Sequence, residues 1–217
     1  MESFSTFEKI ALGAVPVLFA IVVHEVAHGW VAERLGDPTA RLMGRLTLNP
    51  LRHIDPIGTV LLPLLMLSVS NFVFGWAKPV PVDWRNLRRG PRDMALVAAA
   101  GPGANLVMLL LWGVVGSIVA LNEGALGGLA APIYFMVTVG VIANAVLMVL
   151  NLLPVPPLDG SRVVSAILPA SWARRYNSLE RWGLLILVVL LVTGILSQIL
   201  EPPVRALLRL TAWLFPI

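Results

Sequence analysis

Four stretches of this chain, residues 10–33, 93–121, 132–153 and 182–200, are apolar over about the twenty residues that a helix needs to cross a hydrocarbon core about 30 Å thick. Backbone in lipid has no water to bond, so such stretches are predicted to be helices whose amides and carbonyls pair internally. A fifth run, 57–75, is apolar too, but Pro63 breaks it and Pro56, Gly58 and Gly75 flank it. With 58% of 217 residues hydrophobic and 13% charged, the spans leave no room for a soluble domain of ordinary size. The expectation is an all-α polytopic membrane protein forming one integral domain over 1–217, with a core at 10–170 and a C-terminal span and amphipathic tail at 181–217. The first run continues through its polar residues without a small-residue cleavage site, which predicts a retained helix.

The absence of cysteine excludes disulfides, thiolate metal sites and cysteine nucleophiles. A net charge of +4 sits in loops beside the apolar runs, where lipid headgroups account for it. Nucleic acid is therefore not an expected partner; the bilayer is.

The first run carries HEVAH, residues 24–28. Positions four apart lie above one another on a helix, so His24 and His28 face one point and can grip one cation. Glu25 then reaches a water at that point without being a ligand itself. Two neutral imidazoles plus a general base form the arrangement of zinc peptidases. A carboxylate at membrane depth costs about 2.5 to 3.5 kcal/mol unless it is solvated or paired. Glu25 is the one acidic residue well inside an apolar run, and a cost of that size argues for a function.

Catalytic zinc takes a third protein ligand and keeps a position open. His53, the remaining histidine, lies in the basic interfacial loop RHIDPIG, where a metal or substrate role competes with a structural one. Asp159 lies in NLLPVPPLDGSR, where Pro154, Pro156 and Pro157 forbid continuous helix and the backbone must line protein or water. Asp159 reads either as that third ligand or as the N-cap of the helix SRVVSAIL.

HEVAH in a first core helix, AGPGAN at 100–105 opening a later helix, and NLLPVPPLDG at 151–160 resemble, in order and spacing, three signature motifs of the site-2 protease family of intramembrane zinc metalloproteases. The resemblance covers about residues 10–170, and GRLTLNPLRHIDPIGT and FGWAKPVPVD are similar to the compact bacterial and archaeal members without PDZ or regulatory domains. It implies His24, His28 and Asp159 as ligands of one Zn²⁺ per chain and Glu25 as catalytic base. It also implies that Asn151 holds the substrate backbone or the oxyanion, against a helix–helix hydrogen bond as the other reading. The implied activity is endopeptidase cleavage within or near transmembrane segments of membrane proteins or remnant signal peptides. Asn105 and Asn144 read as packing polars, and Gly101 and Gly103 as residues that let helices approach closely.

Topology constrains the ligands further. If 57–75 crossed the membrane, Asp159 would miss His24 by about 15 Å or more, at 1.5 Å rise per residue. A re-entrant 57–75 brings the ligands to one depth and puts thirteen of sixteen basic residues on one face, which by the positive-inside rule is cytosolic. TARLMGRLTL at 39–48 and FVFGWAKPVPVD at 72–83 read as a small sheet at that boundary, either an edge for an unwound substrate or a structural hairpin. A membrane transporter of metal or protons and an inactive scaffold of the same fold are the competing classes; the absence of paired repeats and the intact Glu25 oppose them.

Overall fold

The computed structural model describes residues 4–61 and 78–215, and no strand occurs among the described residues. The long helices are α1 (Thr6–Leu35), α2 (Pro91–Leu121) and α3 (Ala130–Asn151). Four shorter ones follow: α4 (Asp159–Ile167), α5 (Ala170–Asn177), α6 (Gly183–Val192) and α7 (Ile195–Leu214). A capping box of Ser5 and Glu8 starts α1, and Gly36, at φ 118°, ends it in the left-handed conformation that an added Cβ would penalise. Among the described residues, α1, α2 and the helical run that ends in α3 are long and apolar enough to cross a membrane.

The order of contacts fixes how these three run. His24 meets Asn105 while His28 meets Val97, so α1 and α2 are antiparallel. Gly13 lies beside Val139, and Asn105 bonds both Ala20 and Asn144, so α1 and α3 run the same way with α2 against both. The end of α1, the start of α2 and the end of α3 therefore gather at one end of the bundle. Leu109, Val137, Val141 and Ala145 form a core between α2 and α3, closed by Val204, Leu207 and Leu208 of α7. Val107, Leu111, Val114 and Ile118 of α2 are exposed whereas His24, Asn105 and Asn144 are buried. That inversion suits a bundle solvated by lipid, in which polar side chains turn to the interior.

Two sequence expectations change in the structure. The run 182–200 is not one continuous helix: α6 stops at Val192, Gly194 turns at φ 75°, and the helical segments on either side are bent by 81°. At 1.5 Å per residue α6 alone rises only about 15 Å, half a hydrocarbon core. Nor does a boundary sheet form among the described residues. Thr39–Leu42 is a single helical turn, Gly44 has φ 63°, and residues 78–83 are neither helix nor strand. The reason is that side chains already satisfy this strap. Arg45 donates to the carbonyls of Lys78 and Pro79, Val80 N donates to Glu25, and Pro79 and Pro81 have no N–H to offer a neighbouring strand. Residues 72–77 of the expected sheet, and 62–75 of the expected re-entrant segment, lie outside the described residues. Lys78 N donates to His53 O at 2.9 Å, so residues 53 and 78 lie side by side.

Asp37 ties the end of α1 to this strap. It is fully buried; one carboxylate oxygen accepts from the Thr39 hydroxyl, from Thr39 N (3.2 Å) and from Asn86 Nδ2 (2.9 Å), and the other from Asp83 N (2.8 Å). Burial pushes its carboxyl up, but the bonds from Asn86, Thr39 and the Asp83 backbone outweigh this and hold it below the ordinary aspartate range. A carboxylate with a lowered folded pKa stabilises above its unfolded value and loses that contribution as pH falls through the folded one. Asp37→Ala is expected to cost about 1 to 3 kcal/mol at neutral pH, because four donors lose their acceptor. In detergent, thermal unfolding of the two proteins is expected to converge as pH is lowered below 3.8, the ordinary aspartate value; a gap that stays constant to the lowest pH would contradict this role.

Candidate metal centre

His24 and His28 lie on one face of α1, one turn apart, with their Nε2 atoms 3.1 Å from each other. The end of α3 supplies the third member. Past Asn151 the prolines stop the helix, and the chain folds back so that Gly160 rests on the α3 terminus: a Cβ at 160 would lie 2.2 Å from Leu152 O. Gly183 closes the other side, where a Cβ would lie 2.2 Å from Pro156 O, and Tyr176 donates to Pro154 O at 2.9 Å. The loop held between these contacts directs Asp159 inward. Its Oδ2 stands 3.3 Å from both His24 Nε2 and His28 Nε2. Leu158, not Asp159, occupies the N-cap of α4, so the capping alternative is not the arrangement formed.

Protons decide what these three atoms can do. His28 Nδ1 lies 2.7 Å from the carbonyl of Val97, which only accepts, so Nδ1 carries the hydrogen and Nε2 the lone pair. His24 Nδ1 lies 2.6 Å from Asn105 Oδ1, with the same consequence. Asp159 Oδ2 is buried and has no hydrogen-bond partner among the described residues. With both imidazoles neutral, as metal ligands must be, three lone pairs converge with no proton between them, an arrangement that a cation among them relieves. Bonds of about 2.0 to 2.1 Å from a tetrahedral Zn²⁺ place its ligand atoms about 3.3 Å apart. The separations found are 3.1, 3.3 and 3.3 Å. His24, His28 and Asp159 therefore fit a zinc ion, and they are the set of metal-capable side chains that comes together among the described residues.

Glu25 is half-buried beside this set and its Oε2 accepts from Val80 N at 2.6 Å. Asn151 donates one amide hydrogen to Leu147 O (3.0 Å) within its own helix and has a second to offer. His53 is not part of the cluster. It is buried, its Nε2 lies 2.9 Å from Thr47 O and its backbone carbonyl receives Lys78 N, a structural anchor for the strap.

Some roles are not visible in spacing. Gly101 and Gly103 read alike in AGPGAN, yet a Cβ at Gly101 would lie 2.4 Å from His28 Nε2 and 2.6 Å from His24 Nε2, whereas one at Gly103 meets nothing within 4 Å. Gly101 clears the volume in front of the imidazoles. The contact of Val80 with Glu25 had one available signal: in KPVPV, Val80 carries the sole backbone N–H between the two prolines.

Comparison with known proteins agrees with this chemistry. The profile of Peptidase family M50 matches residues 112–194. YwhC of Bacillus subtilis, provisionally named a zinc metalloprotease, is 34% identical over 88% of this chain and 85% of its own length. Rip2 of Mycolicibacterium smegmatis and Rip2 of Mycobacterium tuberculosis, named in the same provisional way, are 34% and 30% identical over 83% of this chain and 66% of theirs. No solved structure matches significantly.

The two glycines give a matched test. Gly101→Ala is expected to lower zinc affinity about 10-fold or more, as displaced ligands do, while Gly103→Ala keeps wild-type affinity. Chelator competition on the purified proteins measures both; equal affinities would remove Gly101 from the site.

Proposed function

We propose that this chain, which belongs to peptidase family M50, the site-2 proteases, uses its zinc metalloprotease centre to hydrolyse peptide bonds within or near transmembrane segments of membrane proteins or remnant signal peptides. The observation that carries the proposal is the convergence of His24 Nε2, His28 Nε2 and Asp159 Oδ2 at 3.1 to 3.3 Å, at one end of membrane-length helices. In this reading those three residues hold one Zn²⁺ per chain. Zinc bound there supplies Lewis-acid polarisation of the scissile carbonyl and makes a water acidic enough to attack near neutral pH.

The remaining work falls to side chains. Glu25 Oε2 is held by Val80 N, which leaves Oε1 to take the proton of the attacking water and pass it to the leaving amine. In this reading the second amide hydrogen of Asn151 holds the substrate backbone or the developing oxyanion. A transmembrane substrate keeps its carbonyls in bonds to amides four residues on, so it must unwind locally before Glu25 and the metal can act on it. The loops that carry thirteen of the sixteen basic residues flank the ends of α1, α2 and α3 that meet at this centre, which supports a cytosolic site in a multi-pass protein of the cell membrane.

Glu25→Gln keeps the shape and removes the base. Purified in detergent and supplied with a helical membrane substrate, this variant is expected to lose cleavage by about 100-fold or more, while zinc per chain stays at the wild-type level. Cleavage that survives the substitution would overturn the role of Glu25, and a wild-type protein that binds zinc but cleaves nothing would favour a transporter or an inactive scaffold.

A further inference from the structure

We infer that Asn105 and Asn144 are positioning residues of the metal centre: together they set which nitrogen of His24 carries the proton and so aim a bare Nε2 at the metal. The inference rests on the zinc reading above for its purpose, though the chain of bonds stands on its own.

Both asparagines are fully buried. Asn144 Nδ2 donates to Gly140 O at 2.8 Å, Asn105 Nδ2 donates to Asn144 Oδ1 at 2.9 Å and to Ala20 O at 3.3 Å, and Asn105 Oδ1 lies 2.6 Å from His24 Nδ1. An isolated amide can flip, exchanging its oxygen and nitrogen, but this chain has a direction. It begins at Gly140 O, a backbone carbonyl that only accepts, so the Asn144 nitrogen must face it and the Asn144 oxygen must face Asn105. Ala20 O imposes the same orientation on Asn105 from α1. The oxygen left for His24 can only accept, so Nδ1 must hold the ring proton and Nε2 the lone pair.

The other histidine is fixed differently. His28 Nδ1 rests on Val97 O, a main-chain group that no substitution removes. His24 alone depends on side chains for its tautomer, and those side chains come from α2 and α3. The same α3 runs on into the loop that bears Asp159, so the amide chain links the three helices whose relative placement brings the ligands together.

The test reads the tautomer directly. The full chain, labelled with ¹⁵N-histidine and freed of metal in detergent, is examined by long-range ¹H–¹⁵N correlation, with His24 assigned by loss of its signals in His24→Asn. His24 is expected in the Nδ1–H form in the wild type and shifted toward the Nε2–H form in Asn105→Leu and, in parallel, Asn144→Leu, with zinc affinity by chelator competition reduced about 10- to 100-fold. An Nε2–H form of His24 in the wild type overturns the inference without recourse to any variant, as do variants that keep both the wild-type tautomer and the wild-type affinity. A wild-type protein with the expected tautomer but no zinc binding would instead overturn the metal reading and leave the polarity of the chain intact.

Discussion

Three lone pairs pointed at one another inside a lipid-solvated bundle are the constraint around which this molecule is arranged. His24 Nε2, His28 Nε2 and Asp159 Oδ2 lie 3.1 to 3.3 Å apart, and in the neutral imidazoles the ring protons are held at Nδ1 by Asn105 and Val97. With neutral rings such a cluster repels itself unless a cation neutralises it, so the scaffold must hold the three atoms in place. The surrounding sequence is consistent with that demand. Gly101 removes a side chain that would fill the space, Gly160 lets the Asp159 loop fold onto the end of α3, and Gly183 clamps the loop from the far side. Each acts through the absence of a Cβ at a close approach, a property that only glycine has.

The carboxylate proposed as catalytic base is held differently from the proposed ligands. Glu25 is held by a backbone amide of a strap whose neighbouring prolines have none to give. Arg45 and His53 satisfy other polar groups of that strap, and Asp37 binds its far end to the end of α1. The strap is thereby a fixture made by side chains at the mouth of the site. A sheet there would have required the same backbone groups to face a neighbouring strand.

The sequence made some of this legible and hid the rest for physical reasons. Helical periodicity alone puts His24 and His28 on one face, and the length of the apolar runs demands helices, so α1, α2 and α3 were readable. Asp159 needed the motif resemblance, because an aspartate after prolines and before a helix is equally a cap. The bend at Gly194 went unread, since one glycine in an apolar run is tolerated in many spans. The sheet expected over 39–48 and 72–83 does not form among the described residues, because alternation of polar and apolar residues says nothing about which partners take the backbone bonds. Asn105 and Asn144 looked like packing polars because their meaning lies in contacts across 81 and 39 residues of sequence.

X-ray absorption at the zinc edge, on the purified chain and on Asp159→Ala, tests the central claim most directly. The wild type is expected to hold one zinc with two imidazole nitrogens and a carboxylate oxygen at about 2.0 to 2.2 Å, and the variant to lose zinc or retain it without that oxygen. A wild-type protein without zinc, or a variant whose zinc has an unchanged coordination shell, would contradict the account.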